Sequence, residues 1–95
     1  MNNEFLKQIK KMQSELEKKQ QQLNETTFTV EKQGVTVAMK GNYKLESIKI
    51  DEFLVDPEDK DILEDLLVLA LNEAIEKVEA ASEEIAPKMP GGMPF

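Results

Sequence analysis

Between Glu4 and Asn24 the apolar residues Phe5, Ile9, Met12, Leu16 and Leu23 recur at steps of four, three, four and seven. That is the period of an α-helix, with one gap at Lys19 and Gln20. On a helical wheel the five fall within a narrow arc, a seam closer to a coiled-coil stripe than to a broad globular face. Gln20, Gln21 and Gln22 are good helix formers and continue the helix.

Downstream the period becomes two. Phe28 and Val30 alternate with threonines, and Val35, Val37 and Met39 alternate with Thr36, Ala38 and Lys40, so both runs read as half-buried strands. Gly34 lies in the short link between them, and Gly41-Asn42 signals the turn of a second hairpin. The third strand carries Tyr43 and Leu45, then Ile48 and Ile50, so its apolar positions switch from odd to even across Glu46-Ser47. A β-bulge there restores a common face. Three antiparallel strands are expected.

Asp56 and Pro57 open the second helix as N-cap and first helical residue, with Glu58 and Asp59 in the first turn. The helix is expected to run to about Ile85. From Ile62 to Leu71 it is apolar nearly all round, and it then thins to Ala74, Val78, Ala81 and Ile85. One covered face does not account for Leu66, Leu67, Val68, Leu69 and Leu71 together. Three short strands and a thin helix supply little cover, so a second subunit is the economical answer. The candidate core and dimer residues are Leu63, Leu66, Leu67, Ala70 and Leu71 on this helix, with Ile48 and Ile50 on the third strand. Residues 1–86 form one domain on this reading, and 87–95, with three prolines and two glycines in "PKMPGGMPF", form a flexible tail.

Composition narrows the chemistry. The chain has 95 residues, no cysteine, no histidine and no tryptophan, which excludes disulfides, thiolate metal sites and thiol catalysis. Its longest wholly apolar run, Leu66 to Leu71, is too short to cross a bilayer, and no signal-peptide core precedes it. The expected compartment is the cytoplasm, with no membrane partner. The net charge is -7 and every basic residue is lysine. Residues 1–23 hold five lysines against three acids, whereas residues 51–86 hold two against thirteen. The acidic total argues against nucleic acid and the basic start argues for it.

Lys7, Lys11 and Lys18 share one stripe of the first helix, with Lys10 just off its edge, opposite Phe5, Ile9, Met12 and Leu16. Glu4, Glu15 and Glu17 flank this ridge without interrupting it. A charged stripe is the ordinary solvated side of an amphipathic helix; a ridge of one sign in an acidic chain also suits a phosphate backbone. Lysine without arginine matches phosphate contact and gives little base readout.

Other sites fare poorly. The acids of "DPEDKDILED" are explained by capping and solubility, and no nucleophile with an orienting base, glycine-rich phosphate loop or metal-binding spacing is present. No catalytic residue, metal, cofactor or small-molecule substrate is expected. Tyr43 and Lys44 beside Gly41-Asn42 are either a ligand contact or a hairpin corner with a half-buried ring.

The segment "GNYKLESIKIDEFLVDPEDKDILEDLLVLALNEAIEKVEAA", followed by "MPGGMPF", resembles the YbaB/EbfC family of small bacterial nucleoid-associated proteins. "SIKID" leading to "LEDLLVLALNEAIEK" is its most specific part, and the N-terminal "KQIKKMQSELEKKQQQL" fits the family order. The resemblance implies an α+β protomer, helix–three-stranded antiparallel sheet–helix, paired as a homodimer with projecting helices. It also implies low-specificity binding of double-stranded DNA that alters DNA conformation and contributes to nucleoid organisation and gene regulation. The family's DNA contacts, attributed to the projecting helices, transfer here to Lys7, Lys10, Lys11, Lys18 and Lys19. Lys77 and Lys88 stand among glutamates, which puts a basic role for the second helix in doubt. Two competing readings are a prefoldin-like holdase gripping clients through Phe5, Leu6, Met89, Met93 and Phe95, and a structural dimer whose acidic second helix binds another protein.

Overall fold

The structure, a computed structural model, describes residues 3–85. The tail residues Lys88, Met89, Met93 and Phe95, and the expected tail at 87–95, lie outside the described residues. The order is α1 (Asn3–Glu25), β1 (Thr27–Lys32), β2 (Val35–Lys40), β3 (Leu45–Ile50), two 3-10 turns (Glu52–Leu54 and Pro57–Asp59) and α2 (Lys60–Ile85). This is an α+β chain, helix–antiparallel sheet–helix, as the periodicities predict.

The sheet is a meander in the order β1-β2-β3, with β2 central. Val30 faces Val37, and Val35, Val37 and Met39 face Ile50, Ile48 and Leu45. The register of β3 slips between Ala38 and Met39, because Ser47 faces Ala38 while Leu45 faces Met39. Glu46 is therefore the extra residue. It brings Leu45 onto the face shared by Ile48 and Ile50, as the switch in apolar parity requires.

α2 crosses that face but covers only β1 and β2. Leu66, Ala70, Ala74 and Val78 project from one side of α2 and are buried with Val30, Val35, Val37 and Met39. The two alanines let the helix approach the valines closely. Leu63, Leu67, Leu71 and Ile75 pack around this core as partly buried residues. Lys32 Nζ meets Glu73 Oε1 at 2.7 Å, and Lys77 Nζ donates to the Thr29 carbonyl at 3.0 Å, which ties one flank of α2 to β1. The expected cap is present: Asp56 Oδ1 accepts from the Glu58 backbone N–H at 3.0 Å. The first turn is 3-10 rather than α, and the α-helix itself starts at Lys60.

Two turns decide the ends of the sheet. Gln33 (φ 49°) and Gly34 (φ 105°) make the β1–β2 hairpin. A Cβ at Gly34 would sit 2.9 Å from side-chain atoms of both Phe53 and Leu54, so glycine also seats the link that follows β3. The second hairpin differs from the two-residue turn expected at Gly41-Asn42. It spans residues 41–44, closed by Tyr43 N–H to Lys40 O at 2.8 Å and Lys40 N–H to Lys44 O at 2.8 Å. Gly41 is not its left-handed residue. It lies buried against α1, where a Cβ would stand 1.9 Å from the Leu23 carbonyl oxygen, and its N–H donates to Thr26 O at 2.9 Å. The left-handed position is Tyr43, at φ 69°, which belongs to the turn and not to the third strand. That conformation costs a non-glycine residue about 1–2 kcal/mol.

Candidate nucleic-acid interface

α1 has 23 residues, about 34 Å of helix. Its C-terminal end is the part fixed to the body. Leu23 is buried, the Thr26 N–H donates to Leu23 O at 3.0 Å, and Thr26 Oγ1 donates to Gln22 O at 2.7 Å, which stops the helix and turns the chain into β1. Residues 3–22 are exposed throughout. The helix therefore stands away from the sheet, and the radius of gyration is 19.3 Å where a compact chain of this length has about 12 Å.

Lys7, Lys10, Lys11, Lys18 and Lys19 are all on this exposed helix. The structure brings Lys7, Lys11 and Lys18 onto one stripe, with Lys10 at one edge. Lys19 falls on the other side, beside the seam of Met12 and Leu16, so it is separated from the ridge. Among the described residues the ion pair is Lys32–Glu73, and none engages these five lysines. Gln20 Nε2 donates to Asn24 Oδ1 at 2.9 Å, holding the amides of the last turns in a row. An open hollow of about 180 Å³ lies there, lined by Lys18, Gln21, Gln22 and Glu25. It is the side of one helix and encloses nothing.

α2 presents the opposite charge. Glu76, Glu79, Glu83 and Glu84 are exposed along its distal half, and Lys77 is engaged with the backbone of β1. Among the described residues no group of three or more acids is placed to hold a metal ion, and no helix is long and apolar enough to cross a membrane.

A second feature is apolar. Leu45, Ile48 and Ile50 lie on the α2 side of the sheet, yet they are 47%, 37% and 38% exposed because α2 stops at β2. On α2, Leu71 and Ile75 occupy the flank opposite Glu73 and Lys77, and the exposed Val68 lies further out on the same side. Of the candidate core residues, Leu66 and Ala70 are buried and Leu63, Leu67 and Leu71 are partly so, while Ile48 and Ile50 line the uncovered face. Phe53 and Val55 are exposed in the link next to it.

The described residues thus form a small α+β chain with an exposed lysine-bearing helix, a glutamate-rich helix and one uncovered apolar strand face. Residues 1–93 match the YbaB/EbfC DNA-binding family, and the chain belongs to that family. It is similar to a nucleoid-associated protein of Mycoplasmopsis pulmonis, 56% identical over 98% of this chain and 94% of that protein. Nucleoid-associated proteins of Enterococcus faecalis (42% identical, 95% and 88% covered) and Metamycoplasma arthritidis (40%, 90% and 90%) are also similar.

Proposed function

We propose that the chain acts as a homodimer that binds double-stranded DNA with low sequence specificity through the α1 lysines. On this reading it alters DNA conformation and contributes to nucleoid organisation and gene expression in the bacterial cytoplasm. The observation that carries the proposal is the exposed ridge of Lys7, Lys11 and Lys18 on a helix standing clear of an otherwise acidic body. Family membership and the nucleoid-associated relatives support DNA as the partner. Lysine ammoniums neutralise phosphates and release counterions, and the lack of arginine removes the usual bidentate reader of guanine. Low specificity follows from that chemistry.

The dimer is supported by the uncovered strip of Leu45, Ile48 and Ile50. A second helix laid over β3 would complete the layer that α2 begins. Pairing also doubles the lysines available to one duplex.

The test is a duplex titration at several salt concentrations, comparing the wild type with a Lys7→Glu, Lys11→Glu, Lys18→Glu variant. With about eight phosphates engaged per dimer, log affinity falls with log salt at a slope near about -7, and the triple variant loses most of its binding. A slope near zero, or no binding at low salt, refutes the proposal.

A further inference from the structure

We infer that the β2–β3 turn is a second DNA-backbone contact, in which the Tyr43 hydroxyl and the ammonium groups of Lys40 and Lys44 engage phosphate oxygens next to those held by α1. The inference rests on the DNA-binding reading above and adds a site to it.

Three observations on the turn converge. The first is conformational. Tyr43 occupies the left-handed position of the turn at φ 69°, where glycine or asparagine relieves the steric conflict, and Asn42 stands one residue away. The turn is nonetheless well held: Asn42 Oδ1 accepts from the Lys44 N–H at 3.0 Å, and the Lys40 backbone closes it from both sides. A strained backbone kept in a well-bonded turn serves to present its side chain, and the only tyrosine of the chain is 49% exposed there.

The second is charge. Glu31 and Glu46 bracket the longest stretch of the sequence without an acid, and Lys40 and Lys44 flank the tyrosine within it. Glu46, the bulged residue, accepts a hydrogen bond from Thr27 Oγ1 at 3.2 Å, so its carboxylate is directed toward β1.

The third is position. Gly41 is packed on Leu23, and its N–H is bonded to Thr26, so the turn sits at the root of α1. Lys19 lies one helical turn before Leu23 on the same side of α1, about 6 Å along the axis, whereas Lys7, Lys11 and Lys18 face away from this side. Successive phosphates on one strand are separated by a similar distance, so a backbone contacting the end of α1 passes the turn. Tyrosine hydroxyls and lysines are ordinary partners of phosphate, and neither requires a particular base.

The full-length protein is titrated with a fluorescent random-sequence 30-base-pair duplex at several salt concentrations, with thermal unfolding measured in parallel. The variants are Tyr43→Asn, which suits the left-handed position, Tyr43→Phe, which removes only the hydroxyl, and Lys44→Gln. Tyr43→Asn and Lys44→Gln each weaken binding about three- to tenfold, and Lys44→Gln lowers the magnitude of the salt slope by about two for a dimer. Tyr43→Asn melts at or above the wild-type temperature, so its loss of binding is not a loss of fold. Tyr43→Phe weakens binding about two- to fourfold. Wild-type affinity and slope in Tyr43→Asn and Lys44→Gln, with binding still abolished by the α1 triple variant, overturn the turn contact and leave the ridge standing. Wild-type affinity in Tyr43→Phe removes the hydroxyl from the contact. Absence of wild-type binding overturns both.

Discussion

α1 and α2 are both long and both amphipathic, yet they dispose of their apolar residues in opposite ways. α2 spends Leu66, Ala70, Ala74 and Val78 on the sheet, one per turn, and all four are buried. α1 carries a seam too, with one gap, and buries Leu23 alone, leaving Phe5, Met12 and Leu16 exposed. The difference lies in what each helix meets. α2 runs back across β1 and β2, whereas α1 is held at one end by Gly41, and its contacts with α2 and β2 bury no residue beyond Leu23. Apolar periodicity specifies a helix with a face, and it does not specify that the same chain covers the face. The polar sides diverge as well, lysine on α1 and glutamate on α2.

The contrast can be broken most severely at Ala74. This residue is fully buried between α2 and the strands, and Ala74→Asp places a carboxylate with no partner in the core. A loss of about 4 kcal/mol or more is expected in denaturant unfolding, whereas Met12→Asp on α1, at a site 61% exposed, costs about 0.5 kcal/mol or less. Equal losses would show that the α1 seam is covered in the assembly.

Next in size is Gly41→Ala. Its Cβ meets the backbone of Leu23, so α1 must move off the sheet, at a cost of about 2–4 kcal/mol. Hydrogen exchange should show the loss of protection concentrated at residues 20–28 and the centre of α2 least affected. Ile48→Lys, on the uncovered β3 face, puts a charge where a second copy would pack. Sedimentation should show dimerisation weakened about a hundredfold, while Thr36→Lys on the opposite face of the sheet leaves it unchanged. Asp56→Ala removes the cap on Glu58 and costs about 1 kcal/mol. Lys32→Met breaks a pair whose two side chains are 38% and 39% exposed, and less than about 1 kcal/mol is lost.

Much of this was legible in the residues. Helix and strand periods located all five major elements, because side-chain direction repeats every 3.6 residues in one and every two in the other. The parity switch across Glu46-Ser47 pointed to the bulge that the register slip at Ala38 and Met39 contains. Gly41 and Tyr43 were misleading for a common reason. A glycine followed by asparagine marks a turn locally, but Gly41 answers a long-range approach of α1, and the left-handed residue moved to Tyr43. Nothing in the local sequence records which backbone will come within reach of a missing Cβ. The five lysines were visible as a cluster, and the wheel of the observed helix separates Lys19 from the other four.

By itself, then, the sequence determined the kinds of element, their order, the cap at Asp56 and the segregation of lysine from glutamate, since each depends on neighbours a few positions apart. The tertiary structure alone decided that α2 reaches only two of three strands, that Leu45, Ile48 and Ile50 stay open, and that the Tyr43 turn sits at the foot of α1. Those outcomes depend on packing distances between segments remote in the chain, and a one-dimensional pattern carries no measure of them.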